Sequence, residues 1–269
     1  MARIAVGVEY DGSNFSGWQR QIAAPSIQQA LQEALGVVCD HPVEITGAGR
    51  TDAGVHARDQ VAHFDSDAVR TERALLLGAN SNLPAGVALR WVRHVPDHFH
   101  ARYSAVARSY RYCILNRATR SALTVGRATW VYQPLQLEPM IEAAGLLVGT
   151  HDFTAFRAAE CQAKSPVRNL LQLEVRRAGD FVLLEVTANA FLHHMVRNIA
   201  GMLIHVGRGE APPKLATELL AGRDRRLAPA TAGAAGLYLW RVHYPQVFGL
   251  PDDSDIMRSP AGCPPDLMG

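Results

Sequence analysis

Residues 168–188 read RNLLQLEVRRAGDFVLLEVTA, and this stretch decides how the chain is built. Two apolar-rich runs, 168–177 and 181–188, flank Gly179-Asp180, a pair suited to the tight turn of a β-hairpin. A strand is also expected at 3–10, where Ile4, Val6, Val8 and Tyr10 alternate with Arg3, Ala5, Gly7 and Glu9. Further strands are expected at 43–46, 60–64, 87–92, 106–115 and 237–244. Ser26 predicts a helix start, with Gln29 at capping-box spacing and Ile27, Leu31 and Leu35 on one face. Other helices are expected over 71–80, around 137–148, over 193–207 and near 212–221. Hairpin-linked strands without regular βαβ spacing predict an α+β fold, a largely antiparallel sheet with helices packed on it. One subdomain is expected over 1–105 and a second over 106–245. The Pro- and Asp-rich stretch 246–269 reads as a loosely held tail.

At 269 residues, 48% apolar and 19% charged, the chain can bury a sizeable core. No run is long enough to span a membrane and no signal-peptide core opens the chain, so a cytoplasmic protein is expected. The four cysteines (Cys39, Cys113, Cys161 and Cys263) form no CxxC pair. Reduced thiols are expected, rather than a disulfide framework or a cysteine zinc site. The formal charge is only +2, yet residues 90–127 hold eight arginines and a single acid, Asp97, a net of +7. A composition rich in Arg explains why the bases are Arg, not why they cluster, so the segment points to an anionic partner.

The other informative run is GAGRTDAGVHARDQVAHF, residues 47–64. Its glycines match neither G-x-G-x-x-G nor the P-loop, and it leads into a strand, so a phosphate cradle is not expected. Asp52 is open to two readings: a turn aspartate bonded to its own backbone, or a carboxylate with room for a bulky substrate beside Ala53 and Gly54. Arg50 could steer an anionic substrate toward it. His56 and His63 lack metal-site geometry, and no metal is expected. His193 and His194 read as the partly exposed start of a helix, with Arg197 one turn on, on the same polar face. Spacing alone leaves Arg197 as a surface charge or the partner of a carboxylate. Arg108, Tyr110 and Tyr112 share one strand face, either as packing or as a surface on which a base stacks.

Taken in order, YDGSNFSGWQRQ (10–21), GAGRTDAGVHARDQVAHF, NSNLP (80–84), FHARYSAVARSYRY (99–112) and NAFLHHMVRNIAG (189–201) resemble the bacterial tRNA pseudouridine synthase family. The similarity runs from about residue 3 to residue 245. It implies the pseudouridine synthase fold, two α+β subdomains joined around a basic cleft, and a homodimer in which one tRNA touches both subunits. It also implies a cofactor-free isomerase converting uridine to pseudouridine at positions 38, 39 and 40 of the tRNA anticodon arm. Asp52 then corresponds to the nucleophile, Arg197 to its arginine partner, Tyr110 to the tyrosine that stacks on the target base and Arg50 to the base-flipping residue. Contacts to tRNA are implied for Arg70, for Phe99, His100, Ala101, Arg102 and Tyr103, and for Cys161, Gln162 and Lys164. Glu160, an acid beside phosphates, is left out. Two other classes are weighed beside this one: a non-catalytic RNA-binding module, and a metal-dependent RNA hydrolase using His56, His63 and Asp52.

Overall fold

In the computed structural model, which describes residues 1–251, the chain divides into two units. Unit 1 comprises Met1–Val106 and the chain from Leu239 onward, and unit 2 comprises Ala107–Tyr238. Cys263 and most of the expected tail lie outside the described residues.

Unit 1 is built on β1 (Ala2–Tyr10), α1 (Ile27–Cys39), β2 (Thr46–Gly47), β3 (His56–Ser66), α2 (Glu72–Asn82) and β4 (Val87–Val95). β1 is central, antiparallel to β3 from Ala2 opposite Ser66 and to β4 from Arg3 opposite Val95. That position explains why both of its faces are buried, not only the alternating apolar one. Its second face is lined by small residues because Trp91 lies across it. A Cβ added to Gly7 would stand 2.1 Å from the indole Nε1.

Ser26 caps α1 as its sequence predicts, its Oγ accepting from the Gln29 N–H at 3.3 Å. The reciprocal half of the box is not made, since the Gln29 side chain donates to Glu33 instead. The strand expected at 43–46 shrinks to Thr46–Gly47, paired with His63 and Ala62. Helix α1 supplies the reason. Gln28 and Gln32 donate side-chain N–H groups to the carbonyls of Ile45 and Val43, at 2.8 and 3.1 Å, which takes those acceptors from any ladder.

Unit 2 runs β5 (Ala107–Asn116), β6 (Thr129–Val131), α3 (Leu137–Gly145), β7 (Gly149–Asp152), β8 (Val167–Ala178), β9 (Phe181–Ala188), α4 (Met195–Gly207) and α5 (Leu215–Gly222). The expected hairpin is β8–β9, closing at Ala178 opposite Phe181. Gly179 turns it with φ 56° while Asp180 keeps negative φ, the combination of a type II′ turn. β9 also pairs antiparallel with β5, β8 with β7, and the short β6 runs parallel to β5. Tyr110, Tyr112 and Ile114 share a face with their partners Val186, Leu184 and Val182. Helix α4 starts two residues later than its pattern predicts. His194 sits at φ 61°, a left-handed conformation that no helical residue adopts, and so stands outside it. The last strand, β10 (Leu237–His243), lies beside β3 in unit 1, where the His243 carbonyl accepts from the Val106 N–H. Among the described residues no helix is long and apolar enough to cross a membrane.

Candidate active site

In unit 1 the loop 47–55, which carries Asp52, is fixed mainly by its own backbone. The Thr51 carbonyl accepts from Trp18 N–H at 3.0 Å, Gly54 N–H donates to the Phe15 carbonyl, and Val55 N–H closes a turn onto the Asp52 carbonyl. Two side-chain bonds add to this: Gln60 donates to the Gly49 carbonyl at 2.7 Å, and the Thr51 hydroxyl meets the buried Tyr10 hydroxyl at 2.8 Å. The 12–18 segment lies so close that no Cβ fits at two of its positions, Gly12 and Gly17. A Cβ at Gly12 would be 2.0 Å from the Val55 carbonyl oxygen, and one at Gly17 2.5 Å from that of Thr51. Gly17 also holds φ 94°. Asp52 is therefore half-buried on a rigid turn beside exposed Ala53, and Arg50 is exposed two residues before it.

The two histidines weighed as metal ligands are both buried and both bonded to backbone. Nδ1 of His56 accepts from Gly12 N–H at 3.1 Å, and Nδ1 of His63 from Ala101 N–H at 3.2 Å. The Asp11 carboxylate also lies 3.2 Å from Nδ1 of His56. Burial, with His100 and Arg3 nearby, pushes the His63 imidazole down to about 4.

Segment 99–103 is pinned from behind. Arg3 donates to the carbonyls of Asp97 and Phe99, and the Tyr244 hydroxyl donates to the Ala101 carbonyl at 2.5 Å. Phe99 is fully buried against Tyr244 and Phe248, and Ala101 is fully buried as well. Their side chains shape the segment rather than face outward. The exposed groups are Arg102 and Tyr103, with the His100 ring 4.3 Å from that of Tyr103. Arg70 is exposed, its Nε donating to the Val38 carbonyl at 3.2 Å.

In unit 2, Tyr110 is half-buried on β5 and meets Phe191 edge to face, with ring centroids 4.9 Å apart. Tyr112 is fully buried, its hydroxyl bonded to Thr129 and to the Gly233 carbonyl, and burial pushes it up to about 12. Of the two tyrosines, then, Tyr112 packs in the core and Tyr110 is the partly exposed one. Arg197 does not lie on a polar helix face, because α4 is buried nearly all round. It is half-buried, and its Nε donates to the Ala232 carbonyl at 2.9 Å while its own carbonyl accepts from Ala232 N–H. Cys161 is half-buried, with Gln162, Lys164 and Glu160 exposed around it.

The structure changes the meaning of the arginine cluster. At least four of its eight members meet acids from outside the segment: Arg90 lies 3.8 Å from both Glu9 and Asp59, Arg93 bonds Glu72, Arg111 bonds Glu185 and Arg117 bonds Asp180. The segment also divides at Ala107 between the two units. A charge count along the chain missed partners brought in by the fold.

Sequence reasoning missed the part played by Gly12 and Gly17, and the residues around Arg197. The glycines were visible as letters, but their role depends on a close approach that no local pattern encodes. Three findings then bear on what these groups are for. The chain matches the family described as tRNA pseudouridine synthase over residues 6–104 and 143–245. It is 55% identical to tRNA pseudouridine synthase A of Nitrosococcus oceani over 249 residues, which is 93% of this chain and 96% of that protein. Identity is also 55% to the protein of the same name from Methylococcus capsulatus (96% of each chain), and 52% to that of Vibrio parahaemolyticus (93% of this chain, 94% of the other). With its sequence matched in both units, the chain belongs to the tRNA pseudouridine synthase family.

Proposed function

We propose that this protein isomerises uridine to pseudouridine at positions 38, 39 and 40 of the tRNA anticodon arm, with Asp52 as nucleophile, acting as a cytoplasmic homodimer without metal or cofactor. The observation that carries this reading is the Asp52 loop: a carboxylate on a turn that the backbone holds rigid, beside Ala53 and Gly54, which leave room for a nucleotide. In the reaction the C1′–N1 glycosidic bond breaks, the uracil turns, a C1′–C5 bond forms, and the C5 hydrogen leaves as a proton while N1 gains one. Positive charge grows on the sugar as the bond breaks, and a carboxylate can stabilise or attack it. Uracil departs as a delocalised anion, so a second acid is not needed. In this reading Arg197 pairs with Asp52, Tyr110 stacks on the freed base and Arg50 assists flipping. Removing a paired base from its stem costs a few kcal/mol, offset by stacking and phosphate contacts. Arg70, Arg102, Tyr103, Gln162 and Lys164 are exposed and suited to those contacts.

A tRNA carrying tritium at uridine C5 tests the proposal, because the isomerisation must release that label. The wild-type protein is expected to release it, while Asp52→Asn binds tRNA and releases none. Release by both proteins would remove Asp52 from the chemistry. Binding without release by the wild type, whichever tRNA is used, would leave an RNA-binding module.

A further inference from the structure

Beside Arg197 in unit 2 lies a clamp of side chains, those of Asn198, Arg225 and Thr231. Residues 228–232 run along α4 as a strap, close enough that a Cβ on Gly201 would stand 2.1 Å from the Ala230 carbonyl oxygen. Asn198, 1% exposed, anchors the strap to the helix. Its Nδ2 donates to the Phe156 carbonyl at 2.7 Å, and its Oδ1 accepts from the Thr231 hydroxyl at 2.7 Å and from Arg225 at 3.1 Å. Arg225 completes the clamp through the Ala228 and Pro229 carbonyls, at 3.0 and 2.9 Å, and through the Thr231 hydroxyl at 3.0 Å. All of these acceptors are neutral oxygens. A half-buried guanidinium with no carboxylate among its described partners is not there to form an ion pair, and burial pulls its pKa down. Its fork geometry suits it instead to gather several oxygens at fixed positions.

The end of this strap is Ala232, whose carbonyl takes the Nε–H of Arg197 and whose N–H goes back to the Arg197 carbonyl. A guanidinium is planar, so fixing its Nε edge also restricts where its two terminal nitrogens lie. We propose that Asn198, Thr231 and Arg225 are positioning residues: they fix the strap, the strap fixes the Nε edge of Arg197, and the guanidinium is thereby aimed before substrate arrives. This rests on the reading that Arg197 serves the reaction at Asp52. Preorganisation of this kind acts on the chemical step and leaves tRNA binding alone, because the strap offers no group to the RNA in this scheme.

The test uses Thr231→Val, which keeps the side chain's shape and removes its hydroxyl, with Thr231→Ser restoring the hydroxyl. Single-turnover tritium release is measured on tRNA already bound, beside the KM and the melting temperature. Thr231→Val is expected to slow the single-turnover step about 10- to 100-fold with KM within about 2-fold of wild type, and Thr231→Ser to recover most of the rate. Arg225→Lys, which keeps the charge and loses the fork, should slow the same step and stands in if Thr231→Val does not fold. The inference is overturned by a wild-type rate in Thr231→Val, by a loss confined to KM, or by a Thr231→Ser variant as slow as Thr231→Val. Arg197→Lys separates the two levels. If wild type releases no label, the proposed function fails. If wild type is active and Arg197→Lys equals it, Arg197 has no role for the clamp to serve.

Discussion

The loop bearing Asp52 and the helix start bearing Arg197 are both rigid, by different means. In unit 1 the loop is tied largely main chain to main chain, through the carbonyls of Thr51, Phe15 and Asp52, and glycines at 12 and 17 let the neighbouring segment close on it. In unit 2 the guanidinium is tied through a strap that side chains hold, those of Asn198, Thr231 and Arg225. The first arrangement tolerates loss of side-chain atoms and fails when a Cβ is added. The second should behave the other way, except at Gly201, where strap and helix come within reach of a single methyl group.

Substitutions can break this contrast, beginning with the largest effect. Gly12→Ala drives a methyl against a backbone oxygen at 2.0 Å that has no side-chain freedom to yield. A loss of about 3 kcal/mol is expected in urea unfolding. Gly17→Ala combines a 2.5 Å approach with φ 94°, and about 2–3 kcal/mol should go, with a fall in tritium release even for the folded fraction. Asn198→Ala leaves Thr231, Arg225 and the Phe156 carbonyl short of a partner in a buried place, for about 2 kcal/mol. If instead Asn198→Ala were neutral while Gly17→Ala was severe, the clamp would be dispensable and the contrast between the regions lost. Tyr10→Phe removes one hydroxyl from the Asp52 loop and should cost only about 1 kcal/mol, because the backbone bonds remain.

A separate effect, absent near neutral pH, concerns acid stability. His63 is neutral when folded, its pKa pushed down from 6.5 to about 4, chiefly by burial and then by His100 and Arg3. In the window between those values the unfolded chain binds the extra proton, so stability rises with pH. The folded protein is expected to lose stability as pH falls from 6.5 to about 4, with no further contribution from this group below that. His63→Gln should flatten that part of a urea-midpoint titration. A variant with an unchanged slope would assign it to other groups, such as His100, whose pKa burial also lowers.

How much of this could be read from the letters follows the same division. The β8–β9 hairpin was legible because Gly179-Asp180 and the flanking runs are local signals, and so was the Ser26 cap. The antiparallel α+β character followed from them. The shortness of β2 was not legible, because glutamines on α1 take the carbonyls of Val43 and Ile45 just before it, and the start of α4 was hidden by a left-handed His194. At the site, Asp52 stood out through its small neighbours, yet only the resemblance separated it from a turn aspartate. Tyr110 and Tyr112 look alike in sequence, and burial alone divides them. Thr231 and Arg225 carried no signal at all, since they lie 33 and 27 residues from the Asn198 they meet.

The pair of hydrogen bonds between Arg197 and Ala232 has a practical corollary. Both hydrogen bonds run through the main chain of Ala232, so its methyl group plays no part in them. A mutational scan would score position 232 only for the size of what it can accommodate and would pass over its hold on the arginine. Replacing its amide with an ester, which deletes the N–H and weakens the neighbouring carbonyl as an acceptor, would expose it. So would proline, which has no N–H to offer. The hold of Ala232 on the arginine is thus invisible to side-chain chemistry, and a map of tolerated substitutions will understate how closely the backbone there is specified.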